Sequence, residues 1–161
     1  MANIQTMLVM AGMVLLALIS LRFNTAVLQT STAEIESKVA LTGFSLADDL
    51  IEEIKVKAFD EATIKFPTAA PSNLTPPGNL GLEIFENISL SDDIDDYNNL
   101  TRLISAPHAE NYTVKCRVEY VNATDPNTVV NTQTFYKRVT VSVTSPFLKN
   151  QIDLSFIFTL K

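Results

Sequence analysis

An α+β fold, with a long amino-terminal α-helix packed on a carboxy-terminal antiparallel β-sheet, is predicted by three features of this 161-residue sequence. No charged side chain precedes Arg22, and residues 7–19 read MLVMAGMVLLALI. From Ala40 to Ala58, apolar residues recur at spacings of three and four. Towards the carboxy terminus the chain alternates apolar and polar residues with a period of two. The first two patterns belong to helices in different surroundings, the third to strands with one dry face.

A bilayer-spanning helix needs about 20 mostly apolar residues. Ile4 to Leu21 comes close, and Phe23 and Val27 extend the apolar face. A cleaved secretory signal needs a basic start and a small-residue cleavage site. No Lys or Arg precedes the apolar run, and Leu21-Arg22-Phe23 supplies no such site. Residues 1–22 therefore read as a retained membrane or assembly helix. Such a segment needs lipid, detergent or neighbouring copies around it.

Residues 23–59 read as an amphipathic continuation. Ala40, Phe44, Ala47, Ile51, Ile54 and Ala58 form one stripe, with Glu34, Glu36, Asp48, Asp49, Glu52, Glu53, Lys55 and Lys57 mostly off it. Glu52 with Lys55 and Glu53 with Lys57 are helix-stabilising pairs. Gly12, Gly43 and the Thr30-Ser31-Thr32 cluster are the weak points, each glycine costing about 1 kcal/mol against alanine. A helix over the first 59 residues would be about 88 Å long, more than a chain of this size can bury alone. Its second half is the cover available for the sheet.

Residues 60–82 lose periodicity. Pro67, Pro71, Pro76, Pro77, Gly78 and Gly81 mark a surface loop. Residues 83–161 form the sheet region, beginning with a short element over Glu83 to Leu90. In Tyr112–Tyr120, the residues Tyr112, Val114, Cys116, Val118 and Tyr120 share one face. Val139, Val141 and Val143 do the same in the next run, and Ile152, Leu154, Phe156, Phe158 and Leu160 in the last. A further strand is expected near Leu100 to Ile104, with turns at Asp125-Pro126-Asn127 and Ser145-Pro146.

Net charge is -6 and no basic cluster exceeds Lys137-Arg138, which excludes nucleic acid as an expected partner. The single cysteine, Cys116, cannot form an intrachain disulfide and reads as a core thiol. His108 is the only histidine, and with four glycines in the chain there is no phosphate-binding loop or dinucleotide fingerprint. No catalytic constellation is present, so a non-enzymatic role is expected. Asp92, Asp93, Asp95 and Asp96 offer hard oxygens at short spacing, the donor type calcium takes. They lack the glycine and distal glutamate of an EF-hand loop, and a solvated or helix-capping turn is the plainer reading. No other cofactor is expected. Glycosylation triplets stand at Asn87, Asn99, Asn111 and Asn122, and a weaker one at Asn73 is followed by Pro76.

A greasy helix running into an amphipathic one, then a loop and an antiparallel sheet, resembles the type IV pilin and pseudopilin family. MANIQTMLVM is similar to a mature pilin start. Where that family carries a glutamate that pairs with a neighbour's terminal amine, this chain has Gln5, which hydrogen-bonds without charge. Asp92-Asp93-Ile94-Asp95-Asp96-Tyr97-Asn98, with KRVTVSVTSP from Lys137, is similar to minor pilins of the mannose-sensitive haemagglutinin pilus type. The resemblance implies a structural subunit of an extracellular adhesive filament, a homopolymer assembled through Met1, Gln5, Gly12, Leu15, Leu16 and Leu18. It implies storage in the inner membrane, then export to the cell surface by pilus or secretion machinery. The positive-inside rule alone, with only Arg22 after the span, favours the opposite orientation. Two alternatives share the pattern: a low-abundance pseudopilin of a secretion system or pilus tip, and a single-pass membrane protein with an extracellular ligand-binding β domain.

Overall fold

The computed structural model describes residues 2–65, 70–83, 87–106 and 109–160. It contains helix α1 (Ala2–Lys55), a short helix α2 (Glu61–Lys65), three 3-10 turns, and strands β1 (Thr101–Ala106), β2 (Ala109–Tyr120), β3 (Tyr136–Thr144) and β4 (Ile152–Thr159). Two compact units divide the chain between Lys38 and Val39.

In the first unit every large apolar side chain described is exposed, from Ile4 to Ile35. The helix is long and apolar enough to cross a membrane. Gly12 and the Thr30-Ser31-Thr32 cluster do not interrupt it. The hydroxyls of Thr25, Thr30, Thr32 and Ser37 each donate to the carbonyl four residues back, at 2.8–3.0 Å.

In the second unit the four strands form an antiparallel meander in the order β1-β2-β3-β4. Each strand pairs with its neighbour in sequence, the usual outcome for consecutive elements, although residues 121–135 separate β2 from β3. The expected alternation holds on β2 and β3: Tyr112, Val114, Cys116, Val118, Tyr120, Val139, Val141 and Val143 are all buried. The opposite face is polar, with Thr140 on Ser155 and Ser142 on Asp153 as cross-strand pairs. The Asp125 and Ser145 turns close through Thr128 N–H to Asp125 O and Leu148 N–H to Ser145 O.

The stretch of α1 from Val39 onward covers the dry face. Its buried line is Val39, Gly43, Ala47, Leu50, Ile51 and Ile54. This corrects the expected stripe: Ala47, Ile51 and Ile54 belong to it, but Phe44 is 48 % exposed. The cause is Gly43. A Cβ there would lie 3.0 Å from Ile152 Cδ1 and 3.4 Å from Leu148 Cδ1, so the absent side chain lets helix and sheet approach. Tyr112 donates its hydroxyl to the Val39 carbonyl at 3.1 Å and fixes the start of this stretch. Each fully buried Val or Ile contributes roughly 1.5–3 kcal/mol through area removed from water.

The helix ends at Lys55, four residues short of the expected Phe59. The chain beyond it is captured in a parallel bridge: Ala58 N–H donates to Asp92 O at 2.9 Å and Ile94 N–H to Ala58 O at 3.0 Å. Two long-range bonds replace the helical ones that Ala58 would otherwise make.

Candidate functional site

The bridge at Ala58 brings the aspartate run against the segment that follows α1. Asp60 caps α2: its Oδ1 accepts from Ala62 N–H at 3.1 Å, and its own N–H donates to Thr63 Oγ1. Asp60 also receives Thr75 N–H at 2.9 Å, which pins the proline-rich loop. Asp93 works the same way at the next turn. Its Oδ1 accepts from Asp95 N–H at 2.7 Å and Asp96 N–H at 3.2 Å. Asp96 Oδ2 accepts from Asp92 and Asp93 N–H.

The turn is not solvated. Asp93, Asp95 and Asp96 are buried, and only Asp92 of the four is exposed. Burial of this kind requires partners. Lys137, itself fully buried, supplies one ammonium to two carboxylates: Asp60 Oδ2 at 2.8 Å and Asp95 Oδ1 at 2.5 Å. It donates also to Phe59 O at 2.8 Å and lies 4.5 Å from the Phe59 ring centroid. The Tyr120 hydroxyl sits 2.8 Å from Thr75 O and 3.2 Å from Asp60 Oδ2.

The titration behaviour follows from this geometry. Burial raises the proton affinity of Asp60, but the Lys137 charge and the donors around it prevail, and its pKa is lowered overall. Burial pushes Asp95 up to about 8 against the pull of Lys137, which Asp60 already shares. Burial, then the neighbouring Asp96 charge, pushes Asp93 up to about 7. Asp96 is raised by burial as well, with Glu83 and Asp92 adding repulsion.

The four aspartates expected to share a calcium ion therefore do not converge on one point. Asp95 Oδ1 is taken by Lys137 and Asp96 Oδ2 serves the turn backbone, while Asp95 Oδ2 and Asp96 Oδ1 are buried without a partner. Among the described residues, the carboxylates whose oxygens do converge are Glu61, Glu83 and Asp93, all within 4.8 Å of one another. Asp93 alone belongs to both sets. Sequence reasoning passed over Lys137, Asp60, Glu61 and Glu83. Lys137 carried a signal: it falls on the same strand parity as Val139, Val141 and Val143, so a charge stands on the dry face.

The assembly residues lie on α1. Gln5 is exposed, a Cβ on Gly12 would meet no atom within 4 Å, and Leu15, Leu16 and Leu18 are 60 %, 73 % and 54 % exposed. Met1 lies outside the described residues, as does His108. Asn73, Asn87, Asn99 and Asn111 are exposed and Asn122 is half-buried, with Asn99 and Asn111 in the left-handed region at φ 63° and 61°. Cys116 is a buried free thiol, pushed up to about 12 by burial.

The fold and this site define an α+β chain with a membrane-length apolar helix and a polar network buried beneath its sheet. No family model, curated protein or solved structure matches the chain.

Proposed function

We propose that this chain is a structural subunit of an extracellular filament of the type IV pilus kind, held in a membrane through α1 before assembly. The observation that carries the reading is exposure: Ile4, Leu8, Leu16 and Phe23 are each more than 70 % exposed, and the most apolar stretch of α1 has no buried residue. Apolar surface on that scale is covered by lipid or by like helices. Leu, Ile, Val and Phe favour the bilayer by only about 0.3–0.6 kcal/mol each, so transfer into a bundle of matching helices is feasible. Gly12, with open space where a side chain would stand, is the point of close helix approach. Gln5 offers a neutral hydrogen-bonding group at the start of that bundle. Withdrawal from the membrane requires assembly machinery supplied by other proteins.

The test is negative-stain microscopy of sheared native surface material, with the share of its mass contributed by this chain. A major subunit dominates that mass, and a tip or secretion-system component is a minor fraction. Gly12→Leu is expected to abolish or strongly reduce filaments. The near-UV circular dichroism of the four tyrosines, all in the second unit, is expected to stay unchanged. Normal fibres from that variant would remove Gly12 from the packing. Wild-type protein that stays monomeric in detergent and yields no fibre would overturn the filament reading and leave a single-pass anchor carrying a sheet.

A further inference from the structure

We infer that Glu61, Glu83 and Asp93 hold one divalent cation of the hard, oxygen-seeking class, calcium above all, which fastens α2 and the segment after Gly81 to the buried turn. This site does not depend on the filament reading and shares only Asp93 with the aspartate run.

The first observation is convergence. Glu61 opens α2, Glu83 follows Gly81, and Asp93 lies in the Ala58 bridge, yet one carboxylate oxygen from each falls within 4.8 Å of the others. Calcium binds oxygens at about 2.3–2.6 Å, so two ligands of one ion lie at most about 4.6–5.2 Å apart. Magnesium demands stricter octahedral geometry and sheds its water reluctantly, which three carboxylates from separate segments suit less well than the flexible shell of calcium.

The second observation concerns one atom. Asp93 is 1 % exposed, and its Oδ1 is taken by the N–H groups of Asp95 and Asp96. The oxygen it has left to offer is Oδ2, which is buried and has no hydrogen-bond partner. A buried carboxylate oxygen without a donor calls for a cation or a proton. Two ammonium groups of this region are engaged elsewhere, Lys137 on Asp60 and Asp95 and Lys57 on the Ser91 carbonyl at 2.6 Å. Asp95 Oδ2 and Asp96 Oδ1 are two further buried oxygens without a partner in the same turn. Glu83 is exposed, which leaves the site open to ions and to the waters that complete a calcium shell.

The experiment uses the full chain in detergent, stripped of metal with a chelator, and calorimetric titration with calcium chloride and separately with magnesium chloride. One calcium per chain is expected, with magnesium at least about tenfold weaker. Asp93→Asn and Glu83→Gln should each weaken calcium by about tenfold or more, while Asp49→Asn, an exposed carboxylate on α1, should leave it unchanged. Because Asp93 also caps a turn, Glu83→Gln is the decisive variant: Glu83 is exposed, and the tyrosine near-UV signal verifies its fold. Absence of heat at millimolar calcium, equal affinity in Glu83→Gln and wild type, or equal affinity for both ions would overturn the site.

Discussion

Replacing Lys137 by methionine removes the one ammonium that Asp60 and Asp95 share. Methionine keeps most of the volume, so the loss is electrostatic rather than a cavity. The wild-type ammonium is fully buried and makes three contacts of 2.5–2.8 Å, two of them to carboxylates. Deleting one partner of a buried ion pair costs about 3–5 kcal/mol, because the other charge is left without compensation. The upper end is not expected here, since Asp95 takes a proton below about pH 8 and relieves part of the cost. A unit the size of Val39–Lys161 has total stability of about 6–18 kcal/mol, so the variant loses a large fraction of it without necessarily unfolding. With a urea dependence of about 2 kcal/mol/M, the midpoint falls by roughly 1.5–2 M. The assay is urea denaturation in detergent, followed by tyrosine near-UV circular dichroism. The chain has no tryptophan, and its tyrosines all lie in the second unit, so α1 upstream of Val39 contributes nothing to the signal. The triple variant Asp60→Asn, Asp95→Asn, Lys137→Met should recover most of the loss, because no charge is then left buried alone. A Lys137→Met penalty below about 1 kcal/mol, or a triple variant no better than the single one, would refute the reasoning.

Three further outcomes are expected, the first two from the same assay and the third from thiol labelling. Gly43→Ala should stay within about 1 kcal/mol of wild type, since the helix gain offsets a small shift of the Ile152 methyl, whereas Gly43→Leu should cost about 1–3 kcal/mol through overpacking. Glu53 accepts both Arg102 guanidinium nitrogens at 2.8 and 2.9 Å and the Tyr97 hydroxyl at 3.0 Å, and the Arg102 contact depresses its pKa. A depressed carboxylate contributes stability above its unfolded pKa of about 4.3 and loses it as pH falls through the folded value. Glu53→Gln should therefore cost only about 0.5–1 kcal/mol at pH 7, the pair being partly exposed, and the gap to wild type should close in acid; a gap that persists at pH 3 contradicts this. Cys116, with its thiol pushed up to about 12, should resist maleimide at pH 8 in the folded protein and react in urea, whereas rapid native labelling would show that the strand is not packed as described.

The parts of the fold governed by local periodicity were readable in advance. Tyr112 to Tyr120 and Val139 to Val143 alternate strictly, and a period of two admits one buried face. The line of α1 was harder. Ala40 with Phe44 and Val39 with Gly43 have the same spacing, and the choice depends on where the sheet approaches most closely. That approach requires the missing side chain of Gly43, which in the sequence reads only as a helix weakness. The site was legible in one residue and hidden in its partners. Lys137 could be flagged by strand parity, but Asp60 reaches it because the chain leaves α1 early and pairs with Asp92 to Ile94. Glu61 and Glu83 lie in stretches without periodicity, so nothing local marks their meeting with Asp93.

The threonine and serine hydroxyls between Thr25 and Ser37 have a consequence for where water ends along α1. Those of Thr25, Thr30, Thr32 and Ser37 each spend their proton within the helix, so that stretch is less hydrophilic than its composition suggests. In the proposed membrane-held state, Arg22 on one side and the Glu34 and Lys38 ion pair, 2.8 Å apart, on the other would bound the waterline. Between those marks the rod would tolerate either phase, and its depth could adjust to whatever surrounds it.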